Sequence, residues 1–173
     1  MEKIKLGISR CLLGENVRYD GGHKLDHYLK GTLGKYVEWF AICPEVDCGL
    51  TVPREKMWLV GNPESPRLVT VNTEIDYTHK MLLWTKKVLK ILKVKKLTGF
   101  IFKSKSPSCG LFDVKIYNGD KIVSKKGIGL FAKEFIKNNI ELFAVDEKFF
   151  DNKKRKTNFL KFCKNFSKTK KIY

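Results

Sequence analysis

The side chains of this sequence best suited to metal or redox chemistry belong to its cysteines, Cys11, Cys43, Cys48, Cys109 and Cys163. Their odd number argues against a disulfide framework and favours metal binding or catalysis. Three of them stand beside turn-forming residues: a polar Gly-rich loop follows Cys11, Pro-Glu follows Cys43, and Ser-Pro-Ser precedes Cys109. These three are candidate ligands, although a free cysteine often serves as a small buried hydrophobe instead.

The predicted strands bring these three cysteines to one edge of a sheet. Apolar segments predict strands at Lys3–Ser9, Trp39–Cys43, Thr98–Lys103 and Ile140–Val145. Each of the first three ends at one of the three cysteines or runs into the loop that carries it. Ligands of an open α/β sheet bind beyond the carboxyl ends of its parallel strands. We therefore expect the three sulfurs to converge, although they are far apart in sequence.

Amphipathic segments between the strands predict helices. They lie at His27–Val37, at Tyr77–Lys95 with Asp76 as N-cap, at Leu130–Asn138 and at Thr157–Phe166. On the helix at Tyr77–Lys95, the apolar face is expected to carry Met81, Trp84, Val88 and Ile91. On the helix at Thr157–Phe166, it is expected to carry Phe159, Phe162, Cys163 and Phe166.

The remaining segments complete the expected fold. Residues 46–75 read as irregular apart from a strand at Arg67–Val71, and Asn118-Gly119 predicts a hairpin over Val114–Ser124. The predicted fold class is α/β, with a mainly parallel sheet of about four strands flanked by helices and a small β-hairpin. We find no linker that would divide the chain, which predicts one domain over residues 1–173.

The charge of the chain is strongly positive, with 35 Lys and Arg against 18 Asp and Glu, a formal net charge of +17. Residues 77–97 contain seven lysines and no acid, and the C-terminal segment 152–173 contains nine basic residues and no acid. Such blocks suit a polyanionic partner, nucleic acid above all. The alternative is a general preference for lysine, since only five of the basic residues are arginine.

The sequence also limits where the protein acts. No run of about 18 apolar residues predicts a membrane-spanning helix, and the N-terminal residues lack the apolar region of a secretory signal. We therefore expect a cytoplasmic protein with no membrane partner.

Three converging thiolates would bind zinc or an iron–sulfur cluster.

Three motifs, taken in order, resemble those of the thiouracil desulfidase family. They are SRCLLGENVRYDGGHK (9–24), CPEVDCGLTVPRE (43–55) and KSKSPSCG (103–110). The later segments FDVKIYN, GIGLFAKEF and ELFAVDEKFF are similar to the first domain of two-domain relatives that act on 4-thiouridine in tRNA. No segment of this sequence resembles the second domain of those relatives, so we expect the first domain alone.

The resemblance implies an enzyme and its site. It implies a [4Fe-4S] cluster held by Cys11, Cys43 and Cys109, with one iron lacking a protein ligand. It also implies that Glu45 and Ser106 are catalytic, Glu45 accepting a proton from water and Ser106 orienting that water. The reaction would replace sulfur by oxygen in a 4-thiouracil-type base by hydrolysis, without net redox, and release hydrosulfide.

Other residues of the motifs have open roles. Cys48 is a fourth ligand, a resolving thiol or inert, the ligand role being the less favoured, whereas Cys163 is expected in the core. Without the resemblance, Glu45 reads as a loop or capping carboxylate and Ser106 as a turn hydroxyl.

The loop after Cys11 is the predicted substrate-binding segment, with Asn16, Arg18, Tyr19 and Asp20 as its candidates. Arg18 could bind a phosphate and Tyr19 could stack on a base, the alternative being a purely structural loop.

Three functions compete. The first is the cluster-dependent desulfidase, and the second is a basic RNA-binding module with a structural metal and no catalysis. The third, a zinc hydrolase or deaminase, is disfavoured because neither H-x-E nor P-C-x-x-C occurs in the sequence. The sequence leaves open whether the substrate is a free base, a nucleotide or tRNA, and it does not define the oligomeric state.

Overall fold

The computed structural model describes residues 3–139 and 141–169, with side chains described as far as residue 165, and contains two four-stranded sheets. The strands are β1 (Ile4–Ser9), β2 (Val37–Ile42), β3 (Met57–Val60), β4 (Arg67–Thr70), β5 (Gly99–Phe102), β6 (Val114–Asn118), β7 (Lys121–Gly127) and β8 (Phe143–Asp146). The helices are α1 (Pro44–Asp47), α2 (Thr78–Lys95), α3 (Leu130–Asn138) and α4 (Lys153–Thr169).

The first sheet has the strand order β2-β1-β5-β8, and all of its strands are parallel. It confirms the predicted fold class and the positions of its four strands to within three residues at each end. The last strand begins at Phe143 instead of Ile140, which lies outside the described residues. Parallel pairing sets the carboxyl ends of the four strands along one edge.

Helices cover both faces of the first sheet. Side chains alternate along β5, so that Phe100 and Phe102 join the apolar cluster under α2 and α3, whereas Ile101 joins the opposite cluster. That opposite cluster also contains residues of the 28–35 segment and Cys163 of α4. The helices α2 and α4, which carry most of the two basic segments predicted from the sequence, therefore lie on opposite faces of the sheet.

The second sheet, of order β4-β3-β6-β7, was only partly predicted. The hairpin of β6 and β7 is confirmed and extends to Gly127, and β4 was predicted. The prediction that residues 57–60 are irregular was wrong, because β3 pairs with both β4 and β6. A strand of four residues shows too little alternation to be recognised in the sequence.

Two predicted helices differ in detail. The segment 27–37 forms a π-turn (Tyr28–Thr32) and a 3₁₀ turn (Leu33–Lys35) before β2, in keeping with the low helical propensity of its two glycines. Helix α2 begins at Thr78, with Tyr77 at the N-cap position, and Asp76 accepts the backbone N–H of Thr78 at 2.8 Å.

The predicted apolar faces were partly wrong. On α2, Met81 and Val88 are buried, but Ile91 is 49% exposed. On α4, Cys163 is fully buried as predicted, whereas Phe162 is 49% exposed. The side chain of Phe166 and the residues 170–173 lie outside the described part of the chain. No helix of the described residues is long and apolar enough to cross a membrane.

We predict that Gly99→Ala destabilises the fold by about 2 kcal/mol through overpacking. Gly99 pairs with Phe143 of β8, and a methyl group on Gly99 would lie 2.8 Å from Phe143 Cβ. Gly31→Ala is the control, because no atom lies within 4 Å of its methyl position. Urea denaturation of both variants measures the difference, and equal midpoints would contradict the predicted close approach of β5 and β8.

Candidate functional site

Three ends of parallel strands converge on one cavity of about 270 Å³. Cys11 lies in the 3₁₀ turn that follows β1, Cys43 directly follows β2, and Cys109 lies in the loop after β5. All three line the cavity, as do Glu45 and Ser106. The convergence expected from the strand ends is therefore present in the structure.

The three cysteines are free thiols, of which Cys11 and Cys109 are buried and Cys43 is partly buried. Burial, and after it the neighbouring Cys43, raise the pKa of Cys11 to about 11. Burial likewise raises the pKa of Cys43 to about 11. The pKa of Cys109 is raised well above the usual value, first by burial and then by Cys43. A positive metal centre would offset this penalty on the thiolates, because it stabilises the deprotonated sulfur directly.

The donor set suits an iron–sulfur cluster. Within residues 3–139 and 141–169, no three His, Cys, Asp or Glu side chains are placed to hold one metal ion. A [4Fe-4S] cluster gives each thiolate its own iron, so its ligands stand farther apart than the ligands of one ion. Cys11, Cys43 and Cys109 are soft donors around a shared cavity, which suits such a cluster.

Glu45 is held at the cavity wall by partners on both of its oxygens. It follows Pro44, which starts the short helix α1 directly after Cys43. Arg54 Nε donates to Glu45 Oε2 at 2.8 Å, and Arg54 Nη2 bonds the same oxygen. Ser108 Oγ donates to Glu45 Oε1 at 2.5 Å. The carboxylate is 12% exposed, so its orientation is fixed by the protein.

The serines of the loop after β5 form a short chain of hydroxyl groups. Ser106 Oγ lies 3.1 Å from Ser108 Oγ and accepts the backbone N–H of Cys109 at 3.0 Å. Ser108 is 1% exposed and is the serine that bonds Glu45 directly. Ser106, the serine implied by the resemblance, reaches Glu45 through Ser108.

The loop after Cys11 contributes two of its four candidate residues to the cavity. Arg18 and Tyr19 line it, with the Arg18 guanidinium carbon 5.4 Å from the centre of the Tyr19 ring. Asp20 does not line the cavity, but its Oδ2 forms an ion pair with Arg18 Nη2 at 3.1 Å. Asn16 is exposed and does not line the cavity, and its role in substrate binding stays a prediction.

The cavity is positively charged. Seven Lys and Arg residues line it, against the single carboxylate of Glu45. Four of the seven are paired with carboxylates, namely Arg10 with Asp47, Arg18 with Asp20, Arg54 with Glu45 and Lys103 with Glu147. Lys24, Lys56 and Lys105 have no ion pair within the described part of the chain. Their charge is available to an anionic ligand.

Cys48 and Cys163 lie apart from the cavity lining. Cys48 Sγ donates to the backbone carbonyl of Glu45 at 3.2 Å, one turn of α1 away from the cavity. Cys163 is buried in the core under α4, as predicted. The three sulfurs at the cavity are those of Cys11, Cys43 and Cys109.

Sequence reasoning missed three polar residues of the site: Arg54, Lys103 and Ser108. Each lies in a motif, but the residue that it bonds lies elsewhere in the sequence. Arg54 and Ser108 both bond Glu45, at sequence separations of 9 and 63 residues, and Lys103 bonds Glu147 at a separation of 44 residues. Only the second serine of S-P-S-C carried a signal, since its hydroxyl adjoins a candidate ligand.

Comparison with known proteins gives the family. The solved structure of a [4Fe-4S]-dependent thiouracil desulfidase, TudS, is 30% identical and superposes with a TM-score of 0.69, covering 86% of this chain and 94% of that one. No curated protein matches the chain. A model of the 2-thiouracil desulfurase family matches residues 6–147, which leaves α4 outside the match. The chain belongs to the 2-thiouracil desulfurase family, as its three motifs predicted.

Proposed function

We propose that this protein is a [4Fe-4S]-dependent desulfidase that hydrolyses the C=S bond of a 4-thiouracil-type base and releases hydrosulfide. The observation that carries the proposal is the arrangement of three thiols, one oriented carboxylate and two serine hydroxyls around one cavity. Cys11, Cys43 and Cys109 are the proposed cluster ligands, and one iron has no protein ligand. An RNA-binding module with a structural metal would need no oriented carboxylate at this cavity.

The protein's own groups have distinct roles in this proposal. The cluster, when bound, supplies a thiophilic Lewis acid that polarises the C=S bond. Glu45 accepts the proton of the attacking water, through the oxygen that faces Ser108. Ser106 and Ser108 orient that water and keep the carboxylate in place. Water adds oxygen to the ring carbon as sulfur leaves, so the reaction needs no electron donor or acceptor.

The positive charge of the cavity favours an anionic substrate. Lys24, Lys56 and Lys105 line the cavity and, among the described residues, form no ion pair. A nucleoside monophosphate carries the charge that such lysines bind, whereas a free base does not. We therefore propose that 4-thiouridine monophosphate is the preferred small substrate, with Tyr19 stacking on its base.

We further propose that the protein acts on 4-thiouridine in tRNA through α4. This helix follows Glu147, which bonds Lys103 in the cavity wall, so its basic N-terminal turn starts near the site. Lys80, in the first turn of α2, donates to the carbonyl of Gly49 beside α1 at 3.1 Å, whereas the other lysines of α2 lie farther along the helix, which ends just before β5. Five reduced cysteines and such a partner suit the cytoplasm, where thiols are kept reduced.

We predict that Cys11→Ser, Cys43→Ser and Cys109→Ser each prevent cluster assembly, because serine is a poor ligand for a cluster that only three residues hold. Cys48→Ser is the matched control and keeps the cluster. Iron and acid-labile sulfide per chain, measured after anaerobic reconstitution, decide the assignment. Full loading of Cys43→Ser together with loss in Cys48→Ser would overturn it.

We predict that Glu45→Gln keeps the cluster but slows turnover by roughly 100-fold or more, because the amide cannot accept the proton of water. Ser106→Ala and Ser108→Ala should slow it as well. Loss of the 4-thiouridine absorbance measures the rate. Rates near that of the wild type in all three variants would remove the proposed water-activating group.

We predict that the double variant Lys153→Glu with Lys154→Glu weakens tRNA binding at least about tenfold at low salt. Each of the two lysines would release counterions when it contacts a phosphate, and the variant loses that contribution to binding. Turnover of 4-thiouridine monophosphate should stay unchanged. Lys90→Glu with Lys93→Glu, two equally exposed lysines of α2, is the control and should have a smaller effect. Equal effects of the two pairs, or none, would contradict tRNA docking on α4.

A further inference from the structure

Arg54 is the residue through which the carboxylate and the loop after Cys11 are joined. Its side chain is only 8% exposed. Besides its bonds to Glu45 Oε2, its Nη2 donates to the carbonyl of Val17 at 3.0 Å, and its Nη1 donates to the carbonyl of Thr51 at 3.1 Å. Its backbone N–H donates to the carbonyl of Tyr19 at 2.9 Å. One residue therefore joins the loop after Cys11, the helix α1 that carries Glu45 and the segment at Thr51.

The planar guanidinium restricts how Glu45 can turn. Two nitrogens of Arg54 bond Oε2, and the carbonyls of Val17 and Thr51 hold the guanidinium plane in position. With Oε2 occupied, Oε1 is the oxygen that meets Ser108. A rigid fork of donors fixes orientation in a way that the point charge of a lysine does not.

We infer that Arg54 is a positioning residue for desulfidation, which acts by holding Glu45 in the orientation that the reaction needs. The inference rests on the proposed function of Glu45. Orientation of a catalytic group is worth large factors in rate, because a misplaced group must be reordered in every turnover. Arg54 also lines the cavity, but in this role it acts through Glu45.

The geometry separates the effect on turnover from the effect on substrate binding. Arg54→Lys keeps one positive charge and the backbone bond to Tyr19, but loses the bonds of the fork to Glu45, Val17 and Thr51. We therefore expect kcat to fall by about tenfold or more, while KM stays within about threefold of the wild type. Cluster content should be unchanged, since Cys11, Cys43 and Cys109 are intact.

The experiment is a double-mutant cycle on the reconstituted full-length protein. It compares Arg54→Lys, Glu45→Gln and the double variant in kcat, KM, iron content and visible absorption. A residue that acts only through Glu45 adds nothing once Glu45 is gone, so the double variant should be as slow as Glu45→Gln alone. Arg67→Lys is the control, because Arg67 bonds Asp76 at 3.2 Å in an exposed ion pair far from the cavity lining.

Several results would overturn the inference. If the losses of the two single variants multiply in the double variant, or if Arg54→Lys loses its iron, Arg54 supports the structure and not Glu45. Normal kcat in Arg54→Lys beside a slow Glu45→Gln would remove the role of Arg54 alone. Normal kcat in Glu45→Gln would remove the proposed function of Glu45, and the role of Arg54 with it.

Discussion

The parallel pairing of β1 with β2 and with β5 is the constraint on which the site depends. Residues 4–9 of β1 pair in register with residues 37–42 of β2, and residues 6–8 pair with residues 99–101 of β5. Because the three strands run the same way, the loops that follow them meet at one edge. Any antiparallel placement of one strand would send its cysteine to the opposite edge. The sulfurs are therefore positioned by backbone hydrogen bonds and by the apolar side chains that bury the sheet.

Polar contacts fix the positions of the loops at this edge of the sheet. One carboxylate oxygen of Asp47 accepts a hydrogen bond from the Arg10 guanidinium at 2.7 Å, and the other accepts one from the backbone N–H of Cys43 at 3.0 Å. This carboxylate thereby links the turn after β1 to the start of α1. Ser9 Oγ accepts the backbone N–H of Lys103 at 2.9 Å and so links the ends of β1 and β5. Such bonds keep the loops that carry the cysteines at fixed separations, which the proposed cluster with its three protein ligands would require.

The sequence predicted the parts of this structure that depend on apolar periodicity. The long helix Thr78–Lys95 stands out because apolar side chains recur at the helical period, and the strand Gly99–Phe102 stands out as an uninterrupted apolar run. The second sheet was recognised only at its hairpin, since the four residues of β3 show no distinctive period. Within the site, the cysteines were found from their neighbours in the sequence. The bond from Ser108 to Glu45 was not, because it joins two loops whose approach is set by the whole fold.

The most direct test of the account is turnover measured against iron content. Samples reconstituted anaerobically to different extents should show a rate on 4-thiouridine monophosphate that rises in proportion to iron per chain. The rate should level off near four irons, together with the broad absorption near 400 nm that is expected of a [4Fe-4S] cluster. Full turnover by protein that contains zinc and no iron would contradict the account, since the three thiols would then serve a different metal.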